Sequence, residues 1–547
     1  MTYQKGIPDY AMVPAKEAAE PVIVPITKGA VYSPVQVTNI TEKPKTVITI
    51  EEDILVPDIK PDLKEILIID GKARLSSREA EGIAKGDDYI NLMGDIELQT
   101  LYLPEKQDSQ CPVMSIQTRV PFKDRWHTSI SPGATVILDC SIESIEHVVI
   151  NERKFRVKIS LAIKAFEYID RKIDIFEGLF DEELQLLKEK TEICSITLRK
   201  KDSLIIKEDI IPKDDTHPET ILKQDINVVE NYKQIAGDKV VINGFIYVSL
   251  LYFRSSEENS SDNIYQMQER IEFTQFIPVQ QGNRQTGCNT FFDDSQLKVK
   301  ICRSDEDQDI FRLEGELITY IELYRASEKE IIVDGYHRQK DFICDFAEES
   351  SRTVIGTSTG ETSVRELVTP EDASCDIDKI IYTTAEISGA ESRCEQGKII
   401  TEGNIIIKLI CRGDGDDGNI FSLRQPVPFR VVSAMPQLAG DETVYHKICI
   451  RDIWAEKING KQLEFNAGLL VCADVMRLSP FKILINPAFR EGSNEKTVPP
   501  MVIYICKEGD RLWNIAKKFK TTVESVMLTN ELESEDLSAG RKLLIIK

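Results

Sequence analysis

Three stretches of the chain alternate apolar and polar residues with a period of two, and each opens on a glycine: Gly94 to Tyr102, Gly244 to Tyr252 and Gly403 to Cys411. Such alternation predicts strands with one buried face, and their β-branched and aromatic content fits that reading. A further strand follows each, centred on Val120-Pro121-Phe122, Ile271-Glu272-Phe273 and Val427-Pro428-Phe429. The glycines lie 150 and 159 residues apart, and the steps from glycine to phenylalanine are 28, 29 and 26. An acidic, apolar, proline-ended lead-in precedes each set: Glu52 to Pro57, Glu208 to Pro212 and Glu366 to Pro370. Matching offsets of this kind point to three copies of one domain, with the glycines at equivalent positions that need either a positive φ or room where a side chain would clash.

Each copy carries a second alternating run, Lys154 to Phe166, Phe311 to Tyr324 and Leu463 to Val475. A single amphipathic sheet cannot hide its apolar face, so each copy is expected to pair two sheets as a β-sandwich. The fold expected is mainly β: three tandem β-sandwich-like repeats followed by a small α+β module. Asp181 to Lys190 is expected to be a short connecting helix, and turns are expected after Pro57, Pro212 and Pro370. Residues 1–40, rich in proline, are expected to be an extension, either a tail or an edge strand on the first repeat. The repeats are placed at 41–180, 181–340 and 345–485, a polar linker at 486–500 and the module at 501–547.

In that last module the period changes. Met501 to Cys506 is a short apolar strand, Gly509-Asp510 is a turn whose carboxylate is expected to cap the following helix, and Leu512, Ile515, Ala516 and Phe519 recur at helical spacing. Val523, Val526 and Met527 suggest a second helix ending near Asn530, and Lys542 to Ile546 a closing strand. The linker, ending in Pro499-Pro500, is expected to let this βααβ unit fold alone, with Trp513 as part of its core.

This spacing resembles the LysM module, a carbohydrate-binding domain. The resemblance implies a shallow groove for N-acetylglucosamine units, bordered here by Gly509, Asp510, Arg511, Leu512, Asn530, Glu531 and Leu532. Arg511 stands where the family usually has Ser or Thr, and a guanidinium suits carboxylates or backbone carbonyls of a protein better than a neutral sugar. The triplicated β domain followed by LysM resembles the SPOCS-domain spore-coat morphogenetic proteins of spore-forming Firmicutes, over about 45–547. That resemblance implies a non-enzymatic adaptor in the mother-cell cytosol at the forespore surface, with the coat's base-layer morphogenetic ATPase and other coat proteins as partners.

Composition narrows the setting. At 547 residues the chain needs several cores, and a net charge of −23 argues against a nucleic-acid or anionic-membrane partner. No apolar run reaches the roughly 18 residues of a membrane span, and the amino terminus lacks the layout of a signal peptide. The module is balanced at +1, so the acidity belongs to the first 500 residues. The 12 cysteines form no CxxC pair, and several, among them Cys302, Cys411, Cys449 and Cys472, lie in apolar runs and are expected to be buried thiols. Five histidines, read as surface or turn residues, share no segment with a nucleophile or metal-ligand spacing, and no phosphate-binding glycine motif is present. Gly413 to Gly418 reads as a hairpin turn without the closing glutamate of a calcium loop. No catalytic residue, cofactor or metal is therefore expected. A competing reading, a peptidoglycan enzyme or wall-associated protein targeted by LysM, requires export and a catalytic constellation; a third, a virion tail component, requires neither.

Overall fold

The structure, a computed structural model, describes residues 22–26, 29–80, 89–105, 111–212, 217–254, 263–279, 287–304, 308–369, 376–414, 419–491 and 499–546. Most of the expected 1–40 extension, the turns after Pro212 and Pro370, the tip of the 413–418 turn and the centre of the linker lie outside the described residues.

After β1 (Val22–Pro25), the first unit comprises β2 (Ala30–Glu42), β3 (Thr46–Leu55), β4 (Leu63–Leu75), β5 (Tyr89–Pro104), β6 (Met114–His127), β7 (Thr135–Asn151) and β8 (Lys154–Leu179). The second comprises β9 (Leu184–Ile210), β10 (Thr220–Ala236), β11 (Lys239–Phe253), β12 (Ile264–Pro278), β13 (Gly287–Asp293), β14 (Lys298–Arg303) and β15 (Asp309–His337). The third comprises β16 (Asp341–Val368), β17 (Ile377–Glu395), β18 (Lys398–Gly413), β19 (Ile420–Ala434), β20 (Thr443–Asn459) and β21 (Gln462–Glu491). In each unit a three-stranded meander, β4-β5-β6, β10-β11-β12 or β17-β18-β19, covers a second sheet built on the long strand β8, β15 or β21. All pairings are antiparallel. The two layers bury a common core, for example Ile90, Leu92, Ile96 and Leu98 against Phe155, Val157, Ile159 and Leu161 in the first unit.

The three glycines hold equivalent positions. Each occupies an inward-facing slot of the meander's middle strand, directly opposite its phenylalanine: Gly94 with Phe122, Gly244 with Phe273 and Gly403 with Phe429. None has a positive φ. The missing side chain is filled by the ring across the ladder, since a Cβ on Gly94 would meet the Phe122 ring at 2.7 Å and one on Gly244 the Phe273 ring at 2.5 Å. The second alternative, lack of room, is therefore the reason for glycine.

Two sequence expectations change, and one pair of alternatives is decided. Asp181 to Lys190 is not helical, because Leu184 begins β9, and the Leu-Gln-Leu-Leu pattern serves a strand that pairs with β15 from Leu184↔His337 onward. Residues 30–40 of the extension follow the edge-strand alternative, lying in β2, which pairs with β8 of the first repeat from Ala30↔Leu179 to Glu42↔Phe166. Together β2 and β3 do what β9 and β16 do as single strands. Residues 486–491, assigned to the linker, finish β21, where Ala488 to Glu491 pair with β1.

The units close on one another rather than forming a row. Leu101, Leu251 and Ile410, each seven residues beyond its glycine, share one cluster with Ile68, Leu222 and Tyr382. A second shared cluster joins Val35, Val37 and Ile175 of the first unit to Ile193 and Ile331 of the second and Phe481 and Ile483 of the third. Side-chain amides extend the ladders across the borders: Gln99 Nε2 donates to Gln224 O (2.8 Å) while its Oε1 accepts from Gln224 N (3.1 Å). Gln266 treats Thr383 in the same way, at 2.7 and 3.0 Å. The third border is ionic, Lys408 Nζ reaching Asp70 at 2.5 Å.

Around that contact lies a polar ring whose two lysines are buried and whose carboxylates are partly exposed. Lys223 is 1% exposed, sits 3.0 Å from Asp70 and pairs with Asp225 on its own strand. Lys408 also holds Glu386 at 2.7 Å, and Tyr382 OH donates to Asp225 at 3.4 Å. Burial works against its charge, but Lys223 and Lys408 together lower the Asp70 carboxyl to about 2.

Candidate functional site

The C-terminal module consists of β22 (Met501–Ile505), α1 (Leu512–Phe519), α2 (Val523–Thr529) and β23 (Lys542–Ile546), with β22 and β23 paired antiparallel from Met501↔Ile546 to Ile505↔Lys542. Its core is its own: Cys506, Leu512, Ile515, Val526, Leu532, Leu543 and Ile545 form one cluster. Thr522 caps α2 by accepting from Ser525 N at 3.0 Å.

The seven candidate residues divide into two kinds. Asp510 Oδ2 accepts from Tyr504 OH at 2.9 Å and Lys507 N at 2.8 Å, so it fixes the turn after β22. Those two bonds, the Lys507 amide first, hold its carboxyl below the ordinary value. The expected helix cap is not made: the cap position belongs to Arg511, whose side chain makes no capping bond. Leu512 and Leu532 are buried in the shared core, so both loops grow from one anchor. Asn530 is structural as well, with Nδ2 donating to Val526 O (2.8 Å) and Leu544 O (2.7 Å) and Oδ1 accepting from Leu544 N (2.6 Å). Asn530→Ala is expected to cost about 1 to 3 kcal/mol by orphaning these backbone groups, read as a lower urea midpoint of the module.

The remaining three face solvent. Gly509 carries φ +83° and Glu531 φ +51°, the left-handed conformation that turns each loop. Arg511 is exposed and, among the described residues, makes no ion pair.

The helix α1 has a second face that sequence reasoning missed. Leu512, Ile515 and Ala516 point into the module. Trp513, Lys517 and Lys520, at i, i+4 and i+7, point at the end of β15 and the turn that follows it. Trp513 Nε1 donates to Asp334 Oδ2 at 2.7 Å and Lys517 Nζ to Asp334 Oδ1 at 2.6 Å. The Tyr336 ring meets the indole edge to face with centroids 5.0 Å apart, and its OH donates to Thr521 O at 2.6 Å. Lys520 Nζ donates to the carbonyls of His337 (3.1 Å) and Lys340 (3.3 Å). Trp513 is thus a contact residue between module and repeats, and not the core residue the sequence suggested. The legible signal was the spacing 513, 517 and 520.

His337, read from sequence as a surface or turn residue, is buried and organises that turn. Its Nδ1 accepts from Gln339 N and Lys340 N, both at 2.9 Å, which leaves Nε2 to donate to Asp181 at 3.2 Å. Asp334 is desolvated, yet the hydrogen bonds from Lys517 and Trp513 keep its carboxyl below the ordinary value.

Elsewhere, Asp62, Glu105 and Glu152 are the one set of carboxylates among the described residues close enough to share an ion, and Asp62 already pairs with Arg153 at 2.6 Å. Cys411 and Cys449 are buried, as expected, whereas Cys302 and Cys472 are only partly so. Burial pushes the Cys411 thiol up to about 12, away from thiolate chemistry. No helix among the described residues is long and apolar enough to cross a membrane.

Two family models match the chain. Residues 218–301, from the approach to β10 into β14, match the SipL SPOCS domain, and residues 504–545 match the LysM domain. No curated protein and no solved structure matches. Both matched families are binding domains without catalytic machinery, and together they mark a sporulation-related protein with a module of the peptidoglycan-binding class.

Proposed function

For a chain that carries a SipL SPOCS domain and a C-terminal LysM domain, we propose a non-catalytic scaffold in spore-coat assembly, in which the three β units form the body and the LysM loops dock a coat morphogenetic protein. The observation that carries this reading is Arg511: an exposed guanidinium without an ion pair among the described residues, raised on a loop whose neighbours Asp510 and Leu512 are fixed by internal contacts. Its backbone is held in place and its guanidinium suits a carboxylate of a protein partner. The partner proposed is the coat's base-layer ATPase, with other coat proteins recruited through it, and the setting is the mother-cell cytosol at the forespore surface. A glycan-binding reading is kept alongside it because the module is a LysM domain.

Arg511→Glu is expected to abolish co-purification of coat proteins from sporulating cells while shifting stability by no more than about 0.5 kcal/mol, as surface substitutions do. If a chain lacking 501–547 still co-purifies the coat proteins, docking through this module is wrong.

A further inference from the structure

The face of α1 that carries Trp513 is occupied within the chain. Asp334 receives the indole N–H and the Lys517 ammonium, Tyr336 covers one flank of the indole, and Lys520 is held by two carbonyls where β15 ends and its turn begins. Trp513 takes no part in the module's core, so nothing inside the LysM fold requires an indole there. It is also the single indole of the module, the other two being Trp126 and Trp454. An indole next to the Gly509-to-Leu512 segment, with an apolar face and one N–H, is chemically suited to stacking under a sugar ring.

We propose that the end of β15 is an internal competitor for Trp513: clamped onto Asp334 and Tyr336, the module does not take glycan, and release of the clamp exposes a platform for N-acetylglucosamine oligomers. The proposal rests on the reading of Gly509 to Leu512 as one wall of the recognition groove, with Trp513 next to it in the first turn of α1. The clamp has the properties of a reversible contact. It turns on one carboxylate, and both ionic partners are partly solvated, Asp334 at 27% and Lys517 at 42% side-chain exposure. Such pairs hold a geometry without locking it. The turn after β15 stays in shape when the module leaves, because His337 ties Gln339 and Lys340 independently of Lys520. With the clamp shut, Gly509, Arg511 and Glu531 remain on the surface. The same chain can therefore dock a protein with its loops while its indole is withheld from glycan.

The test uses the full chain with Trp126→Phe and Trp454→Phe, so that fluorescence reports Trp513 alone, and titrates a chitin oligomer. Two variants open the clamp from opposite sides: Asp334→Ala on the body, and Lys517→Glu on the module, which sets like charge against Asp334. Both are expected to raise acrylamide quenching of Trp513 and to tighten oligomer binding at least tenfold, a gain that Trp513→Ala, followed by calorimetry because it leaves no indole, cancels. The proposal is overturned if the unaltered chain binds the oligomer as tightly as the variants, if quenching does not change, or if quenching rises without binding. Loss of coat-protein recruitment in Arg511→Glu tests the docking reading separately, so either idea can fail while the other stands.

Discussion

Lys223→Ala is expected to destabilise the protein by about 2 to 3 kcal/mol, because it takes a buried cation away from Asp70, which keeps only Lys408, and from the partly exposed Asp225. Lys223 is 1% exposed and serves Asp70 of the first unit and Asp225 of the second at once, while Tyr382 of the third packs beside it. Urea unfolding should show the loss as a single shift affecting all three units. Lys223→Met with Asp225→Leu removes one charge of each sign and should recover at least half of it. The effect also depends on acid. Asp70 has a folded value lowered to about 2, so its contribution is complete above its ordinary value near 4 and disappears as pH falls through the folded value. In Lys223→Ala the folded value moves back toward the ordinary one, so the loss should still begin near pH 4 but be smaller and end at higher pH. A destabilisation below about 1 kcal/mol would mean that the pairing only balances the cost of burying it.

Substitution at the three glycines should rank by the room each leaves. A Cβ on Gly94 would lie 2.1 Å from the Arg74 carbonyl oxygen, a backbone atom with little freedom to retreat, and one on Gly244 would lie 2.6 Å from that of Val229. On Gly403 the closest approach is 2.9 Å, to the Ala390 Cα. Replacing each by alanine should therefore cost about 3, about 2 and about 1 kcal/mol in that order, within the range for overpacked sites. Trimming Phe122 to leucine should not rescue Gly94→Ala, because the obstructing atom is Arg74 O. Full rescue would show that the ring alone sets the requirement.

Much of the fold was legible because it depends on local periodicity. The glycine-led alternation set β5, β11 and β18, and the similar steps to Phe122, Phe273 and Phe429 placed the strands β6, β12 and β19 that follow them. The helical spacing of Leu512, Ile515, Ala516 and Phe519 placed α1. What escaped depends on distant partners. Leu184, Leu186 and Leu187 fit a helix or a strand equally well until β15 is there to pair with them. Trp513 looked like core because large aromatics usually are, and Asp334, which claims it, is 179 residues away. Lys223 and Lys408 read as ordinary strand lysines, since the carboxylate they share belongs to another repeat. Among the candidate site residues, Leu512, Leu532 and Asn530 have internal duties that explain their presence, and the loops' exposed chemistry comes down to Gly509, Arg511 and Glu531.

The pairing of β1 with the end of β21 puts residues 22–25 beside residues 488–491. During synthesis residues 22–25 emerge roughly 460 residues before the edge they must join exists, so this strand is placed only once the third unit has been made. Unlike a linear array, in which repeats can be added or removed one at a time, a closed triangle admits no fourth member and tolerates no missing third. The number of repeats is part of the fold, and a change in copy number would have to be an all-or-nothing event.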